Sequence, residues 1–456
     1  MTMQAQTPTP AAALGGHIWR TLRFALPVTC SRVGLLALII VDTVMSGRIG
    51  AIELAYYALS TAFLMPMMMV GIGILLGTVV LTAQAIGAGS PGECGGVWRV
   101  SMIHALLFGG VAFGLCYGAE WFLLATGQAP ELARGAGSVM AMFSWGMPAM
   151  FLFFATSFFL EGINRPLPGV VVVLGANLLN GGLNWLFIHG VVNGIPAMGA
   201  EGTALATSIV RWVMFAALAA YCLLRLDGAY YGIRGAIADA RQVGRRLRHI
   251  GYPMGLGIAL ESTSFSAMML FAGLLGATQI AGYQIAMNFL ALAFMFSIGF
   301  ATVASVQVGN AIGRRDQPGV RAAGWVSAGL AGLILAVVGA LYAISAEWLV
   351  TLYNSEPAVV AIAVPAILVT AFVALPDGIQ GVLGGALRGA ADVWPATGLY
   401  LVAFWLIMVP LGYYLGVVRG GGASGLMMAV FAGVIVAAIL LGLRFHIVSG
   451  RDTRRI

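Results

Sequence analysis

Three carboxyl side chains stand where the rest of the sequence avoids charge. Asp42 lies in LIIVDTVMSG, Glu261 in GLGIALESTSFSAMMLFAGLLG and Asp377 in FVALPDGIQGVLGGALRG. Glu261 follows the basic stretch Arg245 to His249 and falls ~16 Å past it on a helix rising 1.5 Å per residue. An ionised acid at a helix centre costs roughly 2.5 to 3.5 kcal/mol on membrane-insertion scales, so three of them are expected to do chemistry. Burial favours a protonated carboxyl, whereas water, Na⁺ or a cationic ligand favours the ionised one. Such a group can release a proton as a cation arrives, which is antiport in its smallest form. Ser262, Thr263, Ser264, Pro376 and Gln380 flank these acids and suit a polar cavity. The bland alternative is a permanently protonated acid bonded between helices or paired with an arginine.

Amides supply the next constellation. GANLLNGGLNWLF places Asn177, Asn180 and Asn184 in one span, and Asn180 and Asn184 are i,i+4 neighbours on one helix face. Gln284 and Asn288 repeat that spacing. Cation coordination and hydrogen-bonded helix contact both remain open for these pairs. Glu261 and Asp377 are the residues that could ligate Na⁺. The runs FLMPMMM (63 to 69) and FLFFATSFF (151 to 159) either line an adaptable apolar pocket or face lipid. Arg32 precedes Asp42 by ten residues, ~15 Å along the axis, too far to pair with it, and is expected to snorkel toward the interface. The four cysteines have no metal-type spacing and the five histidines are dispersed. With no nucleophile, base or metal motif, the chain is not expected to be an enzyme or to carry a cofactor.

The elements that must position these residues are membrane helices. The chain has 456 residues, 60% hydrophobic and 9% charged, with a mean hydropathy of +0.96, against about 25% charged in soluble domains. A hydrocarbon core about 30 Å thick needs roughly 20 apolar residues per helix, and only helices or closed barrels satisfy the backbone there. Twelve spans are expected, near 21–46, 54–82, 97–118, 132–157, 168–189, 200–224, 250–274, 280–308, 323–345, 358–383, 395–416 and 423–446. All 23 basic residues are arginine, and with this threading 18 of them fall on the side that holds both termini. The positive-inside rule makes that side cytoplasmic. The net charge of +7 is thus a topology signal, and no soluble basic domain exists for nucleic acid. The first 20 residues are polar and Pro/Ala-rich, unlike a cleavable signal peptide.

The chain also repeats itself. An offset of 226 superposes Pro27 on Pro253, Gly47 on Gly273, Tyr57 on Tyr283, Phe63 on Phe289 and the AIG at 85 to 87 on that at 311 to 313, while GAEG at 199 to 202 matches GASG at 422 to 425. The sequence therefore reads as an N-terminal tail (1–20), a six-helix bundle (21–224), a basic linker (225–249), a second bundle (250–446) and a C-terminal tail (447–456). A short amphipathic helix around 235–248 is expected at the membrane surface. Parallel repeats of this kind usually hold a ligand near mid-membrane between the halves and alternate its access.

The stretches PVTCSRVGLLALIIVDTVMSGRIG, GIPAMGAEGTALATSIVRW, YPMGLGIALESTSF and LPDGIQGVLGGALRGAADV resemble signatures of the multidrug and toxic compound extrusion (MATE) family, in its bacterial NorM-like branch. They occur in the family's order over nearly the whole chain, from Pro27 to His446. The resemblance implies an all-α membrane protein of twelve helices in two pseudo-symmetric bundles. It implies an antiporter in the bacterial inner membrane, functional as a monomer, that exports cationic amphipathic compounds in exchange for H⁺ or Na⁺. Family members carry acids in the first, seventh and tenth helices, matching Asp42, Glu261 and Asp377, and a fifth-helix asparagine pattern matching Asn180 and Asn184. Three positions depart from the pattern: Val373 replaces a tyrosine found in some relatives, Arg32 stands where a neutral polar residue is common, and Pro376 directly precedes Asp377, where a different local helix path is expected. The rival reading is a lipid-linked oligosaccharide flippase of the same superfamily, whose diphosphate substrate calls for clustered intramembrane cations. A receptor or structural protein leaves both the duplication and the buried acids unexplained.

Overall fold

The fold comes from a computed structural model, which describes residues 10–190, 196–235, 239–353 and 356–451. The outer parts of both expected tails and residues 236–238 of the linker lie outside the described residues. Every regular element described is helical.

The first unit of sequence contributes α1 (Pro10–Gly47), α2 (Ala51–Leu75), α3 (Gly77–Gly87), α4 (Cys94–Tyr117), α5 (Ala119–Ala125), α6 (Pro130–Ser144), α7 (Met147–Gly162), α8 (Leu167–His189) and α9 (Gly199–Leu224). After the linker come α10 (Ala240–Leu274), α11 (Ala277–Gly313), α12 (Gln317–Ile344), α13 (Ala346–Thr351), α14 (Pro357–Gly389), α15 (Val393–Tyr400), α16 (Val409–Gly412) and α17 (Gly422–Gly450). Among the described residues eleven helices are long and apolar enough to cross a bilayer, and α6 with α7, bent by 45°, makes up the twelfth span. The bend sits just before Pro148, which has no N–H to carry the helix through. The eleventh span is continuous but widened, with π-type turns at Leu401–Met408 and Tyr413–Val418 on either side of Pro410. Proline again removes an i to i−4 bond, and a wider turn is one way for the neighbouring groups to find partners.

Internal contacts divide the chain into two compact units. One is Cys30–Ala259; the other is Leu260–Ile456 together with the chain as far as Thr29. In the first, α7 is buried on every face, from Met147 to Gly162. The aromatic run 151 to 159 is therefore interior packing and not a lipid-facing surface. Trp98 of α4 stacks on Phe159 and donates its indole N–H to Thr156 at 3.2 Å. In the second unit α14 holds the central place. Gly381, Gly385 and Gly389 face Ser297, Ala301 and Ser305 of α11, and a Cβ on any of the three would lie within 2.4 Å of its partner. This i,i+4,i+8 ladder lets two backbones touch, as small residues do in membrane helix pairs.

The repeat read from the sequence extends to details of backbone and cap. Left-handed turns recur at Gly89 (φ 71°) and Arg315 (φ 57°), at Asn164 (φ 62°) and Ala391 (φ 57°), and at Gly199 (φ 56°) and Gly422 (φ 58°). At the last pair a side chain from the second helix of each repeat caps the helix start: Glu53 of α2 accepts the N–H of Ala200 at 2.7 Å, and Gln279 of α11 accepts that of Ala423 at 2.8 Å.

In the linker, Asp227 accepts the N–H groups of Ala229 and Tyr230, and Tyr231 accepts the N–H of Gly95 at 2.8 Å. Residues 240–248 are the first turns of the 35-residue α10, in place of the separate surface helix expected. Arg248 there donates to Nε2 of His104 in α4 at 3.3 Å, whose Nδ1 bonds the Val100 carbonyl.

Candidate functional site

The acids of α10 and α14 are brought together. Gln380 donates one amide nitrogen to Glu261 Oε1 at 3.3 Å and to Asp377 Oδ1 at 3.2 Å. Asp377 and Gln380 are 3% and 1% exposed, and Glu261 is half-buried. Asp377 Oδ2 and Gln380 Oε1 have no hydrogen-bond partner. No arginine is ion-paired with either acid among the described residues. A buried carboxylate oxygen left without a donor is costly, so this site is short of positive charge or of a proton. Ser264 spends its hydroxyl on the Glu261 carbonyl at 2.6 Å and does not reach the carboxyl.

Asp42 is held differently. Asn184 donates to its Oδ1 at 2.7 Å and Thr207 to its Oδ2 at 2.6 Å. Asn180 in turn donates to Thr207 at 3.2 Å and accepts from Asn184 at 3.3 Å. The i,i+4 amides of α8 thus share one face with the acid of α1, while Asn177 bonds the backbone carbonyls of Gly34 and Val173 and serves helix contact. Thr207 was not singled out in the sequence, because a threonine in ALATSIV carries no signal of its own. One turn on, the guanidinium of Arg211 lies over the Phe143 ring, 5.4 Å from its centroid, with the sulfurs of Met147 and Met68 at 3.6 and 4.0 Å. It acts electrostatically on Asp42 without bonding it. Soft thioether and ring surfaces suit a cation lodged away from water.

Arg32 does not snorkel. One guanidinium nitrogen bonds both carboxylate oxygens of Glu161 in α7, at 2.8 and 3.0 Å, and Ser157 donates to the same carboxylate at 3.1 Å. The Phe158 and Phe154 rings lie 5.4 and 6.0 Å away. Pairing with a buried acid replaces the interfacial water that a snorkelling arginine seeks. Glu161 lies beyond residue 157, where the fourth span was expected to end, so the sequence did not place it among the intramembrane acids. The remaining expected pair, Gln284 and Asn288 of α11, bond each other at 3.2 Å, and no described hydrogen bond joins them to the acids.

The family model described as MatE matches residues 27–186 and 253–414, one stretch in each half of the repeat. The chain belongs to the MATE family. This MATE protein is 34% identical over 435 residues to the probable multidrug resistance protein NorM of Caulobacter vibrioides, covering 95% of this chain and 92% of that protein. It is 31% identical over 437 residues to the multidrug resistance protein MdtK of Yersinia enterocolitica, covering 93% and 94%. In fold it resembles the eukaryotic MATE transporter AtDTX14, with a TM-score of 0.87 at 19% identity over 96% of this chain and 99% of that one. A similar likeness links it to an outward-facing multidrug resistance MATE transporter, TM-score 0.88 at 18% identity over 98% and 100%. The MATE protein is accordingly a multi-pass membrane transporter and not an enzyme.

Proposed function

We propose that this MATE protein is a secondary multidrug antiporter. It exports cationic amphipathic compounds in exchange for H⁺ or Na⁺ by alternating access, and acts as a monomer. It sits in the bacterial inner membrane with both termini cytoplasmic, the side that carries most of the arginines. The relatives' designation as multidrug resistance proteins supports the passenger class.

The observation that carries the reading is the unmet Oδ2 of Asp377, next to an amide that already bridges Asp377 to Glu261. A proton, a Na⁺ ion or the charged end of a passenger can each supply what that oxygen lacks. Occupancy by one then excludes another, which is the exchange an antiporter needs. The donor set is all oxygen, as hard cations prefer, and Val373 contributes none.

The test is purified protein in liposomes, loaded with a fluorescent organic cation and given a pH gradient without Na⁺, then a Na⁺ gradient without a pH difference. Transport under one gradient alone names the coupling ion. Glu261→Gln and Asp377→Asn should each slow transport at least about tenfold, a loss of roughly 1.4 kcal/mol or more, while eluting as folded protein. Full-rate transport by both variants would remove these acids from the mechanism.

A further inference from the structure

Asp377 is not the only charged residue on its face of α14. Asp377, Gln380, Gly384 and Arg388 follow one another at spacings of three, four and four residues, so they form one stripe down α14, ~16 Å from first to last. Gly384, with no side chain of its own, gives its place in the stripe to the Tyr400 hydroxyl. A Cβ there would lie 2.2 Å from the Tyr400 hydroxyl and 3.9 Å from Nη1 of Arg388. The half-buried Arg388 therefore reaches back along the helix to the level of Gly384, and its charge acts on Glu261 without forming an ion pair. The other arginine in this part of the unit, Arg444, is already committed to Asp392, at 2.6 and 2.7 Å.

We infer that Arg388 is the resident counter-charge of the Glu261–Asp377 site and makes it selective for passengers bearing a single positive charge. The inference rests on the antiport reading above. With both carboxylates ionised, two negative charges face one guanidinium, leaving one to be neutralised. A monocation completes the balance, and a second positive charge on the passenger meets the repulsion of Arg388. The position is specific to this unit: three residues before the equivalent left-handed turn, the other half of the chain has Glu161, not an arginine.

Ethidium and propidium test this, since they share one ring system and carry one and two positive charges. In proteoliposomes the wild type should move ethidium faster than propidium. Arg388→Gln and Arg388→Met should shrink that ratio about tenfold, and Arg388→Lys, which restores the charge, should bring it back. The lysine rescue separates a charge effect from a packing effect. Equal rates for the two dyes in the wild type, or an unchanged ratio in a folded neutral variant, overturns the role of Arg388. A wild type that moves neither dye under either gradient overturns the antiport reading, and this inference with it.

Discussion

Asp42 and Asp377 are aspartates set into apolar spans, yet the two units treat them in opposite ways. The unit around Asp42 gives each carboxylate oxygen a short hydrogen bond and keeps Arg211 nearby. It also closes its other buried acid, Glu161, onto Arg32. Its intramembrane charges are matched one to one. The unit around Asp377 has two acids, one shared amide donor and one arginine that is not bonded to either acid. Duplication has kept the turns and caps and let the charges diverge. What the difference teaches is where exchange is cheap: a group whose partners are already in place loses them when a cation arrives, whereas an oxygen with no partner only gains.

The comparison is broken most severely at the closed pair. Arg32→Met leaves Glu161 buried and unpaired, and should destabilise the protein by about 3 to 5 kcal/mol, read as a large fall in thermal unfolding temperature in detergent. Arg32→Met with Glu161→Met should recover most of the loss, because an apolar pair of similar volume needs no compensating charge. A double variant as unstable as the single one would show that the pair does more than balance charge.

Next comes a contrast between the aspartates themselves. Thr207→Val removes a donor from a buried carboxylate and should cost about 1 to 3 kcal/mol. Asp42→Asn should cost less, since the unpartnered Oδ1 of Asn184 can accept the new amide once that side chain turns over. Asp377→Asn breaks no bond at Oδ2, so its stability should stay within about 0.5 kcal/mol of wild type although its transport falls. If Asp377→Asn unfolds as readily as Thr207→Val, the C-terminal site is structural and the distinction between the units fails.

The architecture was legible in the sequence for a physical reason. Crossing a bilayer imposes length and apolarity on every helix, so twelve spans, the duplication and three misplaced acids all stand out against a uniform background. Partnership was not legible. Arg32 and Glu161 are 129 residues apart, and neither the spacing nor the type of either residue names the other. Thr207 is hidden for the same reason, since a threonine in a membrane helix bonds its own backbone as readily as a distant acid. Residues that pair at i,i+3 or i,i+4 fared better: Asn180 with Asn184 and Gln284 with Asn288 meet as the spacing requires, although spacing did not say that only the first pair would reach an acid. Arg388 lies beyond residue 383, where the tenth span was expected to end, and only the continuation of α14 to Gly389 puts it on the stripe.

The smallest effect sharpens the comparison, because the second unit has already made the substitution. Gln279 does for α17 what Glu53 does for α9, each side-chain oxygen accepting the N–H two residues into the capped segment. A carboxylate at a helix N-terminus gains roughly 0.3 to 1 kcal/mol over a neutral acceptor from the helix dipole. Glu53→Gln should therefore cost no more than that, and Gln279→Glu should be neutral or slightly stabilising. Glu53→Ala and Gln279→Ala, which orphan the backbone N–H, should each cost about 0.5 to 2 kcal/mol, measured as shifts in unfolding temperature at one detergent concentration. Matching losses in the two alanine variants mean that the caps are one device inherited twice. A loss confined to Glu53→Ala would mean that the N-terminal unit depends on the carboxylate for something other than holding a helix end, and the division between a balanced unit and an unbalanced one would have to be redrawn to include it.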